Sequence, residues 1–119
     1  MNIIKRPTIN DYKRQYPEAA IALEEWYQLF RKTGFKTPQE LKAVYGNASI
    51  VGNSRVVFNI HGNKYRLVVK IRYDAGIAYV IWFGTHAAYD EIDVETVGYV
   101  AQKADKKDES KLEDIKDRS

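Results

Sequence analysis

From Ser54 to Ile60 the chain alternates. Val56, Phe58 and Ile60 fall on one side and Arg55, Val57 and Asn59 on the other, the two-residue period of a half-buried strand. Gly62-Asn63 follows as a two-residue hairpin signal, which sets His61 facing Lys64. The register this implies pairs Ile60 with Tyr65, Phe58 with Leu67 and Val56 with Val69, all apolar. On the opposite face Asn59 meets Arg66 and Arg55 meets Lys70. One choice of turn sorts both strands, and a slip of one residue would mix the two sets. After the turn Asp74-Ala75-Gly76, residues Ile77 to Thr85 read as a third strand. It is apolar throughout, as expected of a strand that is central or covered on both sides, and it sets Trp82 opposite Val68.

Earlier in the chain the period is helical. Ala19, Ala22, Leu23, Trp26, Tyr27 and Phe30 form one continuous stripe at three- and four-residue spacing, with Gly34 expected as a left-handed C-cap. Before it, Asn2 to Lys5 reads as a short strand. Thr8 is expected to cap a helix over Ile9 to Gln15, with Asp11 reaching back, and Pro17 marks the boundary. Thr37-Pro38-Gln39-Glu40 predicts another cap, followed by a short helix to Tyr45 that stops at Gly46. A last helix is expected from about His86 to Val94. The order β-α-α-α-β-β-β-α predicts an α+β domain, an antiparallel-rich sheet with helices packed on one face. That domain should occupy residues 1–100. Residues 101–119 lack aromatics and read as a charged, solvated tail, or as a marginal helix through Leu112 and Ile115.

At 119 residues the chain suits a single domain, and 45% hydrophobic with 29% charged residues is a globular mix rather than a disordered one. Cysteine is absent, which excludes a disulfide scaffold, a thiolate zinc site and a cysteine nucleophile, and suits a reducing cytoplasm. No apolar run approaches a membrane span, and residues 1–6 do not read as a signal peptide. A cytoplasmic protein without a membrane partner is the expectation. Two histidines and no repeated carboxylate spacing give no metal site. The lack of a glycine-rich phosphate loop or dinucleotide fingerprint gives no cofactor site.

The net charge of +3 is unevenly placed. The tail carries six basic and six acidic side chains, so the excess lies in the domain. Between Gly46 and Tyr73 there is no Asp or Glu, while Arg55, Lys64, Arg66, Lys70 and Arg72 all fall there. Arg66, Lys70 and Arg72 share one strand face, joined across the hairpin by Arg55, Asn59 and His61. Like charges directly opposed, such as Arg55 and Lys70, cost up to about 1 kcal/mol, which an anionic partner would offset. A solvated outer face is the plain alternative.

Thr85-His86-Ala87-Ala88-Tyr89-Asp90 is the second constellation. On a helix, His86, Tyr89 and Asp90 lie on one side, an imidazole, a phenol and a carboxylate suited to proton transfer. A capped helix start with a half-buried His86 and a surface ion pair at Asp90 is the bland reading of the same residues.

Two segments in this order, Phe58-Asn59-Ile60-His61-Gly62-Asn63-Lys64-Tyr65-Arg66-Leu67-Val68 and Gly84-Thr85-His86-Ala87-Ala88-Tyr89-Asp90, resemble the HigB-type toxins of bacterial toxin–antitoxin systems, within the RelE superfamily. Leu41-Lys42-Ala43-Val44-Tyr45 fits as well, and the resemblance covers roughly residues 1–97. It implies a RelE-like fold and a ribosome-dependent, metal-independent mRNA endonuclease acting in the ribosomal A site. It also implies a HigA-like helix-turn-helix antitoxin, through which alone the toxin would reach operator DNA. The implied catalytic set is Arg66, His86, Tyr89 and Lys64, with Arg55, Asn59, His61, Lys70, Arg72 and Asp90 binding RNA. The chain departs from the family's pattern at Ala88, where an acid is common, and at Ile81, near which a base is common. A catalytically inactive RNA- or ribosome-binding module, or a protein-interaction domain of the same fold, is the alternative.

Overall fold

The computed structural model describes residues 1–4 and 6–98. The expected tail over 101–119 lies outside them. Five strands form one sheet: β1 (Asn2–Ile4), β2 (Ser49–Val51), β3 (Arg55–Ile60), β4 (Tyr65–Arg72) and β5 (Ile77–Thr85), in the spatial order β1-β5-β4-β3-β2. All neighbours are antiparallel except β1, which lies parallel to β5 with Asn2 opposite Ile77. The α+β architecture with an antiparallel-rich sheet is as expected.

The hairpin register is the one the alternation implies, from Arg55 opposite Lys70 to Ile60 opposite Tyr65. At the turn, His61 and Gly62 both take positive φ, 56° and 65°. The glycine does this without strain, while His61 bears the cost of a side chain in the left-handed region. Between β4 and β5 the register shifts. Val68 faces Trp82 and Val69 faces Val80, so Ile81 is a bulge residue without an opposite number. The bulge explains a strand that reads as apolar throughout: Val80 and Phe83 both turn to the core, and Trp82 turns out beside Ile81.

Helices α1 (Arg6–Gln15), α2 (Ala20–Lys32) and α3 (Pro38–Val44) supply the other side of the core. The α2 stripe behaves as read: Ala19, Leu23, Trp26 and Phe30 are buried against Phe58, Leu67 and Val69. Trp26 stacks on Phe30 at 4.8 Å and meets Phe58 edge-on at 5.3 Å. The α3 start is also as read, with the Thr37 hydroxyl accepting from the Glu40 amide at 3.2 Å.

Four local expectations are corrected. The helix α1 begins at Arg6, so Thr8 lies within it rather than capping it, and Asp11 pairs with Arg14. A 3₁₀ turn over Pro17–Ala19 precedes α2. Gly34 is not in the left-handed region; α2 ends at an extended Thr33, whose hydroxyl donates to the Leu29 carbonyl at 2.8 Å. The last helix, α4, is the single turn His86–Tyr89 rather than a helix to Val94. The alternation does not mark edge strand β2, which is only three residues long, Ser49–Val51, with a weak pattern.

Beyond α4 the chain forms a strap across the outer sheet face. The Asp93 carboxylate accepts from the Glu95 amide at 3.1 Å, and its carbonyl accepts from Thr96 and Val97, so residues 93–97 form a tight turn. Two of the carbonyls there are taken by Arg55, whose Nη1 donates to Val94 at 2.9 Å and to Val97 at 2.6 Å. Asn53 Nδ2 donates to the Glu95 carbonyl at 2.9 Å, and the Glu95 carboxyl fills the space over Gly52. Arg55 is 1% exposed, which corrects its expected place on an open basic face. The charge opposed to Lys70 is met by carbonyl dipoles of the same chain, not left for an external anion.

Arg55→Ala removes the buried donor for two carbonyls and should cost about 3 kcal/mol in a urea unfolding titration. Amide exchange over residues 93–98 should rise with it. Unchanged exchange there would show that something other than Arg55 holds the strap.

Candidate functional site

The β4–β5 register builds the site. Arg66 lies opposite Gly84 on one side and Asn59 on the other, on the face away from the core. Its Nη1 donates to the Asn63 and Tyr65 carbonyls, each at 3.1 Å. The guanidinium is thus anchored by one nitrogen toward the hairpin turn. Among the described residues its Nε and Nη2 take no acceptor, which leaves donors for a phosphate. Asn59 is steadied by its own bond to Asn63 Oδ1 at 3.4 Å.

Directly after β5 the chain turns off the sheet at Thr85, the N-cap of α4, whose hydroxyl accepts from the Ala88 amide at 3.1 Å. The His86 amide donates to the Lys64 carbonyl at 2.9 Å, locking the start of α4 to the hairpin. His86 Nδ1 then lies 3.3 Å from Asp90 Oδ2, with both side chains about half exposed. This is the pair the four-residue spacing suggested, with a carboxylate oriented on an imidazole that stays open to solvent. Tyr89, on the same turn, sets its ring 6.3 Å from that of Trp82.

Lys64 reaches the other way. Its ammonium lies 3.6 Å from Glu18 Oε1, in the 3₁₀ turn before α2, while the Tyr65 phenol donates to Glu18 Oε2 at 2.8 Å. The Tyr65 hydrogen bond, and then the Lys64 charge, hold the Glu18 carboxyl below its ordinary value. The same bond raises the Tyr65 phenol. Nothing local in the sequence marks Glu18, which joins this group only through the fold.

The structure therefore gathers Arg66, Asn59, His86, Tyr89 and Asp90 around one end of the β3–β4–β5 sheet, where Lys64 joins them through its carbonyl while its ammonium pairs with Glu18. Four of the expected set lie elsewhere. Arg55 is buried under the strap. His61 turns toward Tyr65, ring to ring at 6.3 Å, on the helix side of the hairpin. Lys70 and Arg72 lie roughly 13 and 20 Å along β4 from Arg66, and Arg72 is paired with Asp74 at 3.2 Å. No group of three or more potential metal ligands occurs among the described residues. No described helix is long and apolar enough to cross a membrane.

Residues 19–92 match the family described as HigB_toxin, RelE-like toxic component of a toxin-antitoxin system. The chain is similar to the mRNA interferase HigB of Escherichia coli O6:H1 strain CFT073, 29% identical over 94 residues, spanning 77% of this chain and 91% of that protein. It is also similar to the mRNA interferase toxin HigB of Escherichia coli K12, 28% identical over 92 residues, spanning 76% and 88%.

The Glu18 linkage has a definite pH signature. A carboxyl with a lowered folded value contributes stability that is fully present above its ordinary value of 4.5 and is lost as pH falls through the folded one. Glu18→Gln should therefore be less stable than wild type at neutral pH, and the two urea midpoints should converge as pH falls below the ordinary carboxylate range. A gap of equal size at neutral pH and in acid would remove the assignment.

Proposed function

The chain belongs to the HigB family of RelE-like toxins, and from that premise we propose that it is an mRNA endonuclease acting on translated messages in the ribosomal A site. A cognate HigA-like helix-turn-helix antitoxin would neutralise it and carry the pair to operator DNA. The observation that carries the reading is the joining of Arg66, across the strand pair from Gly84, to the His86–Asp90 pair one turn beyond it. The names of the similar interferases support it independently.

The chemistry is an internal transfer. The substrate 2′-hydroxyl attacks the adjacent phosphorus, the bond to the 5′-oxygen breaks, and the products are a 2′,3′-cyclic phosphate and a 5′-hydroxyl. That reaction needs a base for the 2′-proton, a donor for the leaving oxygen and fixed positive charge on the phosphorane. Arg66 supplies the charge through its free nitrogens. His86, oriented by Asp90, and Tyr89 divide the proton transfers. Lys64 adds charge at the mouth of the hairpin, and Asn59 positions the substrate strand. No step calls for a metal.

Primer extension on a defined message in a purified translation system, with and without ribosomes and with analysis of the product end groups, tests each part. New 5′ ends should require ribosomes, carry a hydroxyl rather than a phosphate, and fall at least about a hundredfold in Arg66→Ala. Ribosome binding without new ends would make the chain a binding module and remove the roles of His86 and Tyr89.

A further inference from the structure

Of the two tryptophans, Trp82 is the one that the core does not use. The bulge at Ile81 turns it to the outer face, opposite Val68 and one row below Arg66. There it is partly exposed, while Trp26 is 5% exposed inside the core. Its six-membered ring folds back over Gly84, so that a methyl group on Gly84 would fall 2.7 Å from Cζ2 and Cη2. Tyr89 stands at 6.3 Å with its ring plane tilted by 50°, and the two rings form an open angle above the strand rather than a closed stack.

Gly84 has an ordinary negative φ, so backbone conformation does not require glycine there. What requires it is the indole lying on it. The same Gly84 faces Arg66, which brings a flat apolar surface next to a guanidinium with unused donors. A nucleotide offers the matching pair of groups, a phosphate and a π-face one sugar apart. We infer that Trp82, laid over Gly84 and flanked by Tyr89, is a nucleobase-stacking platform that fixes the nucleotide beside the phosphate held by Arg66.

The inference rests on the proposed RNA substrate. Stacking is tolerant of base identity, so the platform sets the position of the strand rather than its sequence. Gly84 is a spacer in this arrangement: it carries no side chain and so lets the indole lie against the strand.

Two tryptophans of opposite exposure make the test direct. In a Trp26→Phe background, Trp82 alone reports, and its fluorescence should be quenched as a short oligoribonucleotide is added. Trp82→Ala should weaken binding or raise the KM for cleavage of ribosome-engaged message roughly tenfold, with Trp82→Phe retaining most of the wild-type behaviour. Gly84→Ala, which displaces the ring without removing it, should resemble Trp82→Ala. A single abasic nucleotide scanned along the oligonucleotide should give the same loss at one position, and no further loss in Trp82→Ala. Wild-type cleavage kinetics in Trp82→Ala and Gly84→Ala would overturn the platform while leaving the nuclease reading intact. Failure of the wild-type protein to cleave any message would overturn the reading beneath it. Circular dichroism and urea midpoints of each variant separate a lost platform from a lost fold.

Discussion

The phase of β4 is the constraint on which everything else hangs. Tyr65, Leu67, Val69 and Ile71 enter the core, and Arg66, Val68, Lys70 and Arg72 therefore face the other way. The hairpin at Gly62 fixes that phase against β3, and the Leu67–Phe83 pairing fixes it against β5. A shift of one residue would bury Arg66 and expose Leu67, at a desolvation cost no surface interaction could repay. The site is therefore held by the same apolar burial that holds the domain. Arg66 needs no packing of its own to be presented where it is.

Much of this is legible in the chain because the relevant signals are local. Alternation over β3 and β4, the Gly62 turn and the α2 stripe each decide one element without help from the rest. The Thr37–Glu40 cap is equally local. What failed to read correctly depends on contacts distant in sequence. Gly34 looks like a helix stop, yet α2 ends at Thr33 through a hydroxyl bond to Leu29. Arg55 looks like one more exposed cation in an acid-free stretch. Only the strap, about forty residues later, makes it a buried donor. Glu18 is invisible for the same reason, since the fold alone brings it to Lys64 and Tyr65.

The outer sheet face divides accordingly into two regimes. At the hairpin end, polar groups are anchored by one or two bonds each and otherwise face solvent, as at Arg66 and the His86–Asp90 pair. At the opposite end, the strap covers the sheet at Gly52 and Arg55, and between the two ends Val57 and Val68 are buried on a face where alternation predicts exposure. The covered half gives rigidity to the chain leaving α4, and the open half is left free to meet a substrate. Continuity of the backbone between them ties the placement of Tyr89 and Asp90 to both.

The bulge at Ile81 separates two kinds of demand within a single strand. Below it, β5 keeps time with the core through Ala78 and Val80; above it, the count restarts with Trp82 outward and Phe83 inward. The upper segment can thus exchange residues to suit what lies on the open face, while the lower segment answers only to packing. One supernumerary residue acts as a phase shifter, and it lets a nine-residue strand evolve as two short ones that share a hydrogen-bonded edge.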